Sequence, residues 1–473
     1  MNVGCLVLKL INLFQINMPL LSIDPSTNQE IASYDEYSVS KISDIIQAVN
    51  LSQTNWNDVS LEFRLDCLNE MIGVLKDGKI EYSRLMAHEM GKPISQAKSE
   101  IDKCIWLCEY YFENAAEFLK DEIINDNAQK YIITIQPLGI ILGIMPWNFP
   151  FWQVFRFAIP TIIAGNGAIL KHASNVQGCA FAIESCFKKA GFPSDIFRNV
   201  SVSGNNTENV IKDPRISAVT ITGSTPAGRS VAKVAGEYLK KTVLELGGSD
   251  PYIILDDADI DKTVDACING RILNAGQSCI SAKRIIATKR VYSSILDKLK
   301  YILPKKIMGD PRDNVDIGPM VSLNARDEVH MQVTNSINSG ASLILGGYIP
   351  ELAGAFYPVT LIAGVKPGMV AFDEEIFGPV FSLIMAEDEE DAISLANNTP
   401  FGLGAAIFTN DIEKGEEIAK TRINAGACFV NDFVKSDPRV PFGGVKESGY
   451  GRELSIHGMM EFVNIKTVSI SNG

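Results

Sequence analysis

Basic charge is in short supply in this sequence: 43 Lys and Arg stand against 56 Asp and Glu, a net charge of -13 over 473 residues. Without a basic surplus or a basic run there is no electrostatic footprint for nucleic acid and nothing to hold the chain to an anionic lipid surface. Any anionic substrate must meet a local cation, because the global field opposes it. Histidine is scarcer still, with His88, His172, His330 and His457 scattered singly and no His-Glu-x-x-His run, so no protein-bound metal is expected. Nine cysteines are present but none forms Cys-x-x-Cys, which removes zinc ribbons and dithiol redox motifs. An odd number in a long chain reads as the reduced thiols of a cytoplasmic protein. Long apolar runs are missing too. Val3 to Phe14 is interrupted by Gly4, Lys9 and Asn12, is too short for a bilayer, and has neither a basic n-region nor a cleavage site. Residues 1–17 are therefore expected to be an extension outside the fold.

What remains is ordinary globular composition, 46% apolar and 21% charged, enough for a sizeable core and about three domain-sized units. Residues 40–125 read as helical, with apolar faces over Asp44 to Val49, Glu62 to Lys76 and Ile101 to Phe118. Gln129 to Gln136 is rich in β-formers and reads as half of a projecting hairpin. From Gly139 the pattern changes to buried strands near 139–145, 168–171, 199–202 and 216–222, with helices from Phe151 to Ala164 and from Gln177 to Ala190. Thr225-Pro226 opens another helix. This alternation predicts a doubly wound parallel sheet, and the second half repeats it from Asp250 to about Thr421. Ligands of such sheets sit beyond the carboxyl ends of the strands, where Asn148, Lys171, Ser174, Gly204, Gly223 and Ser224 fall. That clustering argues for a nucleotide site. Gly223 to Gly228 by itself would look the same as a plain helix-packing turn.

Three short segments carry chemistry. In Asn274-Ala275-Gly276-Gln277-Ser278-Cys279 a thiol stands on a turn near backbone N–H groups that favour the thiolate, although a lone cysteine is more often inert core. Glu245 lies between two leucines before Gly247-Gly248; apolar company raises a carboxylate's pKa toward that of a general base, and the plainer reading is an acid bonded to glycine N–H groups. Pro146-Trp147-Asn148-Phe149-Pro150 fixes an amide between prolines, either as donor to an oxyanion or as cap of the next helix.

Taken together with Gly223 to Gly228, Glu374 to Pro379 and Pro441 to Gly444, in this order, these segments closely resemble the aldehyde dehydrogenase superfamily from about residue 20 to the end. The resemblance implies a Rossmann-type cofactor domain (18–119 and 137–247), an α/β catalytic domain (248–454) and a β oligomerisation arm (120–136 and 455–473) of a homodimer or homotetramer. It implies Cys279 as nucleophile, Glu245 as base, and Asn148 with the Cys279 N–H as oxyanion hole. Glu375 would hold the nicotinamide ribose, Phe377 the ring, and Trp147, Lys171, Ser174, Gly204, Gly223 and Ser224 the rest of the cofactor. Glu453 would lie on a proton path. Members that prefer NAD often carry Glu three residues after the Lys171 position; Ser174 stands there, so NADP is favoured with NAD accepted, unless Ser174 is a plain loop serine.

The resemblance also points to a substrate. Enzymes of this family that oxidise succinate semialdehyde place Arg where Arg156 stands and serine where Ser436 stands. A second arginine of some such enzymes is Leu273 here. One Arg at about 4 Å from a carboxylate contributes about 4 kcal/mol before desolvation, at an effective dielectric near 20. The alternatives are an Arg156 paired with a structural carboxylate, small neutral aldehydes such as lactaldehyde or glyceraldehyde, and a silent structural protein of the same fold. The tail, Phe462 to Ile470, is strand-like without a hairpin partner beside it, and is expected to complete a sheet across subunits.

Overall fold

The structure, a computed structural model, describes residues 19–126 and 129–471; the extension expected over residues 1–17 lies outside them. A hairpin of Leu20–Asp24 and Gln29–Tyr34 precedes three long helices, Val39–Asn57, Leu61–Met90 and Ile94–Phe118. Ser38 and Ser60 start the first two by accepting from the N–H groups of Lys41 and Phe63. The second helix ends where Gly91 turns left-handed at φ +77° against Pro319, and Pro93 opens the third. The helical pattern stops earlier than residue 125, because Glu122–Asp126 is already a strand.

A six-stranded sheet runs in the order Gly449–Tyr450, Lys241–Glu245, Ile216–Thr222, Ile140–Met145, Gly167–His172 and Phe197–Asn199. All its pairings are parallel except that of the short Gly449–Tyr450 strand. Its central strands are buried on both faces, which is why they read as unbroken apolar runs. The last strand closes three residues before the expected 202, and pairs only over Ala168 to Leu170 of its neighbour. The chain leaves Ile140–Met145 in one direction to build Gly167–His172 and Phe197–Asn199, then returns to its other side as Ile216–Thr222. That reversal is the topological switch point, where the ends of two neighbouring strands diverge and open a crevice.

A second sheet of seven strands carries Asp250–Ile254 and Ala282–Thr288 at its centre, parallel apart from the edge strand Ser342–Leu345. In the third sheet the tail has a partner within its own chain and stands as the edge strand. The tail strand Val463–Ser471 pairs antiparallel with Gln129–Pro137 of its own chain, register Val463 to Pro137 and Ser471 to Gln129, with Glu122–Asp126 beyond. Its partner is more than three hundred residues away in sequence, where no local reading looks.

Candidate active site

Cys279 is half-buried at the turn between the short Leu273–Gly276 helix and the strand Ala282–Thr288. Three successive residues there are left-handed: Asn274 (φ 55°), Ala275 (φ 53°) and Gly276 (φ 73°). A Cβ on Gly276 would meet the Gly378 carbonyl oxygen at 2.2 Å, so only glycine lets the turn press on that segment. Asn274 ties the strained pair down by donating its Nδ2 to the carbonyls of Asn148 (2.8 Å) and Gln277 (3.1 Å).

The amide of Asn148 is held from both sides. Its Oδ1 accepts from Gln153 Nε2 at 3.1 Å, and its Nδ2 donates to the Gln277 carbonyl at 3.0 Å, which leaves the second amide hydrogen for a ligand. The helix Trp152–Ile163 does not use Asn148 as its cap. Buried Glu100, ion-paired with Lys92, accepts from the N–H groups of Phe151 and Trp152 at 2.9 and 3.0 Å. His172 braces the same loop: burial pushes its pKa down to about 4, its Nδ1 accepts from the Ala173 N–H, and its Nε2–H donates to the Pro150 carbonyl. Neither Glu100 nor His172 was singled out by sequence, because neither belongs to the loop they fix.

Two cavities meet at Cys279. The larger, about 510 Å³, is lined by Trp147, Asn148, Gly223, Ser224, Glu375 and Phe377. Trp147 and Phe377 meet edge to face with centroids 5.9 Å apart. Gly223 has open space where a Cβ would stand, its nearest neighbour 3.8 Å away, and Ser224 leads into the helix Thr225–Glu237 without a side-chain cap. Uncapped N–H groups beside a side-chain-free corner suit a pyrophosphate. This cavity therefore fits a dinucleotide. Lys171, Ser174 and Gly204 lie outside its lining. Lys171 is buried at the end of Gly167–His172 near Glu36, which accepts from the Ser203 N–H and Asn206 Nδ2. Burial pushes the Lys171 ammonium down, and Glu36 partly restores it. Glu36 belongs to no motif, and only the fold brings it to Lys171.

The smaller cavity, about 140 Å³, joins Cys279 to Arg156, Ser436 and Lys103. Arg156 is buried and ion-paired with Glu453, donates to Thr222 Oγ1 at 3.3 Å, and lies over the Phe442 ring at 4.7 Å. Its charge is thus already met by a protein carboxylate. Ser436 accepts from Lys103 Nζ at 2.7 Å.

Glu245 lines neither cavity. It is buried with no hydrogen-bond partner on either oxygen among the described residues, so it is not the glycine-bonded acid of the plainer reading. Burial first, and the nearby Glu453 second, hold it well above the usual carboxylate range against the pull of Arg156 and Arg452. Burial likewise pushes the Cys279 thiol up to about 12, opposed by Lys283 and Arg156. Lys283, unseen in sequence, donates to the carbonyls of Ser278 (2.8 Å) and Cys279 (2.7 Å) and pairs with Glu375 at 3.0 Å. It joins the nucleophile's turn to the cofactor cavity. Among the described residues no cluster of three or more metal-ligating side chains forms, and no helix is long and apolar enough to cross a membrane.

A site that joins a nucleophilic thiol to a dinucleotide-sized cavity has known counterparts. The sequence model of the aldehyde dehydrogenase family matches residues 17–468. A succinate semialdehyde dehydrogenase (NAD(P)+) of Escherichia coli K12 is 43% identical over 95% of this chain and 97% of its own. A probable succinate-semialdehyde dehydrogenase (NADP+) of Synechocystis is 42% identical over 96% of this chain and all of its own. Among solved structures, succinic semialdehyde dehydrogenase from Streptococcus pyogenes in complex with NADP+ superposes with TM-score 0.93 at 35% identity, over 96% of this chain and all of that one.

Proposed function

Since the chain belongs to the aldehyde dehydrogenase family, we propose that it oxidises succinate semialdehyde to succinate with NADP, accepting NAD. The observation that carries the substrate is the 140 Å³ cavity, whose lining joins Lys103 and Ser436 to the thiol of Cys279. A short aldehyde that ends in a carboxylate can present its carbonyl to the thiol and its anion to that cationic end within one small cavity. A neutral hydroxy-aldehyde would leave the cationic end without a counterion. The NADP reading is supported by the absence of a carboxylate at Ser174 and by the cofactor in the names of the relatives.

The chain's own groups divide the reaction. Cys279 adds as thiolate to the carbonyl carbon; the second hydrogen of Asn148 Nδ2 and the Cys279 N–H receive the oxyanion. Trp147 and Phe377 line the cavity that would hold the dinucleotide, which would supply the hydride-accepting chemistry next to Cys279. The remaining thioester needs a water and a base. Glu245, raised in pKa and without partners, is the carboxylate suited to that proton, and it must gain access to the cavity to take it. Glu453 beside it offers the next proton acceptor.

We further propose a homodimer or dimer of dimers, because the three-stranded sheet presents Ile123, Ile124, Ile465 and Ile470 to solvent. A reducing cytoplasm suits the described cysteines, all of which are free thiols. An aldehyde panel assayed with both dinucleotides tests the function. Succinate semialdehyde should show the highest kcat/KM, with NADP at least as good as NAD; a higher value for lactaldehyde or butyraldehyde would reject the substrate.

A further inference from the structure

The cations around the small cavity are not equivalent. Arg156 is met by Glu453, Lys435 pairs with Asp432 at 2.5 Å, and the lining carboxylate Glu100 is met by Lys92. Asp437, next to Ser436, is engaged by Arg439 at 2.6 Å. Lys103 alone of these lining cations has no carboxylate within 4 Å among the described residues. Its ammonium rests 4.5 Å over the Trp152 ring and spends one hydrogen on Ser436, leaving others for a ligand in the cavity.

From this arrangement we propose that Lys103, reaching into the cavity from the helix Ile94–Phe118 together with Ser436, is the specificity-determining residue that binds the substrate carboxylate. Arg156, ion-paired with Glu453, lines the same end of the cavity. The proposal rests on the succinate semialdehyde reading and names a contact that the sequence did not suggest.

A half-buried ammonium without a counterion titrates early. Burial, then the nearby Arg156, pushes Lys103 down to about 8, opposed by Cys104 and Glu100 on its own helix and by Asp437 on the Ser436 loop. A carboxylate ligand stabilises the protonated form, so binding of the anion should weaken as pH rises past this value. The thiol of Cys279 and the carboxyl of Glu245 also titrate, but they act on every aldehyde alike. The ratio of kcat/KM for succinate semialdehyde to that for butyraldehyde therefore isolates Lys103.

The test follows that ratio from pH 6.5 to 9.5 in the wild-type enzyme and in Lys103→Met and Lys103→Arg. The wild-type ratio should be flat at low pH and fall by about tenfold per unit above pH 8 or so, through KM and not kcat. Lys103→Met should lose at least about tenfold of the ratio at pH 7, and Lys103→Arg should remove the alkaline fall because guanidinium stays protonated. A wild-type ratio near unity at pH 7 would overturn the substrate reading, and this proposal with it. A high ratio that stays constant to pH 9.5, or that survives in Lys103→Met, would overturn the role of Lys103 and leave the substrate reading standing. The wild-type pH profile needs no variant to fold.

Discussion

At the residue scale the site is a set of buried groups held against their solution behaviour. Asn148 is the simplest case, because Gln153 and the Gln277 carbonyl fix its amide with one hydrogen to spare. Asn148→Ala should lower kcat by about a hundredfold or more, the effect of removing one oxyanion donor at roughly 3 kcal/mol, while dinucleotide affinity from fluorescence titration stays within a few-fold. Cys279 is held as the thiol in the cofactor-free protein. Its alkylation by iodoacetamide should accelerate about tenfold per pH unit between 7 and 9, as the thiolate fraction does below its pKa; a rate already level at pH 7 would contradict this. Glu245 links chemistry to stability. Its carboxyl is raised in the fold, so the folded chain holds a proton that the unfolded chain releases above the ordinary carboxylate value. Its contribution is present at low pH and lost as pH rises toward the folded pKa. Glu245→Gln should therefore flatten the decline of Tm from about pH 5 upward and slow thioester hydrolysis more than the first hydride transfer, as a pre-steady-state burst would show.

At the element scale, position comes from pieces that do not themselves react. The helix Trp152–Ile163 starts on a carboxylate from another helix, Glu100, and so carries Arg156 into the small cavity, while Asn148 on the loop before it lines the larger one; Cys279 lines both. The nucleophile's turn depends on Gly276, whose φ is left-handed and whose Cβ position is occupied by the Gly378 carbonyl. Gly276→Ala should cost on the order of 2 kcal/mol or more from backbone strain and overpacking together, lowering Tm and dislodging both Cys279 and the segment that carries Phe377. A folded variant with unchanged Tm would show that the turn relaxes at no cost.

For the whole molecule, the tail is the element that carries the assembly proposal. It was readable as a strand, but its pairing with Gln129–Pro137 of the same chain closes one edge and leaves apolar Ile465 and Ile470 facing out. Light scattering at micromolar concentration should give a dimer or tetramer, and Ile465→Lys should shift it toward monomer without unfolding it. A monomeric wild-type protein would remove the assembly proposal.

What the sequence determined by itself was the alternation of strand and helix, because period and breakers are local, and it marked Cys279, Asn148, Glu245, Glu375 and Phe377 as candidates, because their motifs are contiguous. The strand Ile216–Thr222 was legible to the residue for that reason. What only the tertiary structure decided was which groups share a space. Glu245 stands outside the cavities that Cys279 lines, Arg156 is already spoken for by Glu453, Lys103 reaches Ser436 333 residues away, His172 braces the Pro150 carbonyl 22 residues before it, and Lys283 holds the carbonyl of Cys279. Charge compensation is a property of packing. A cation's availability depends on whether a carboxylate from another element reaches it, and linear order does not carry that information.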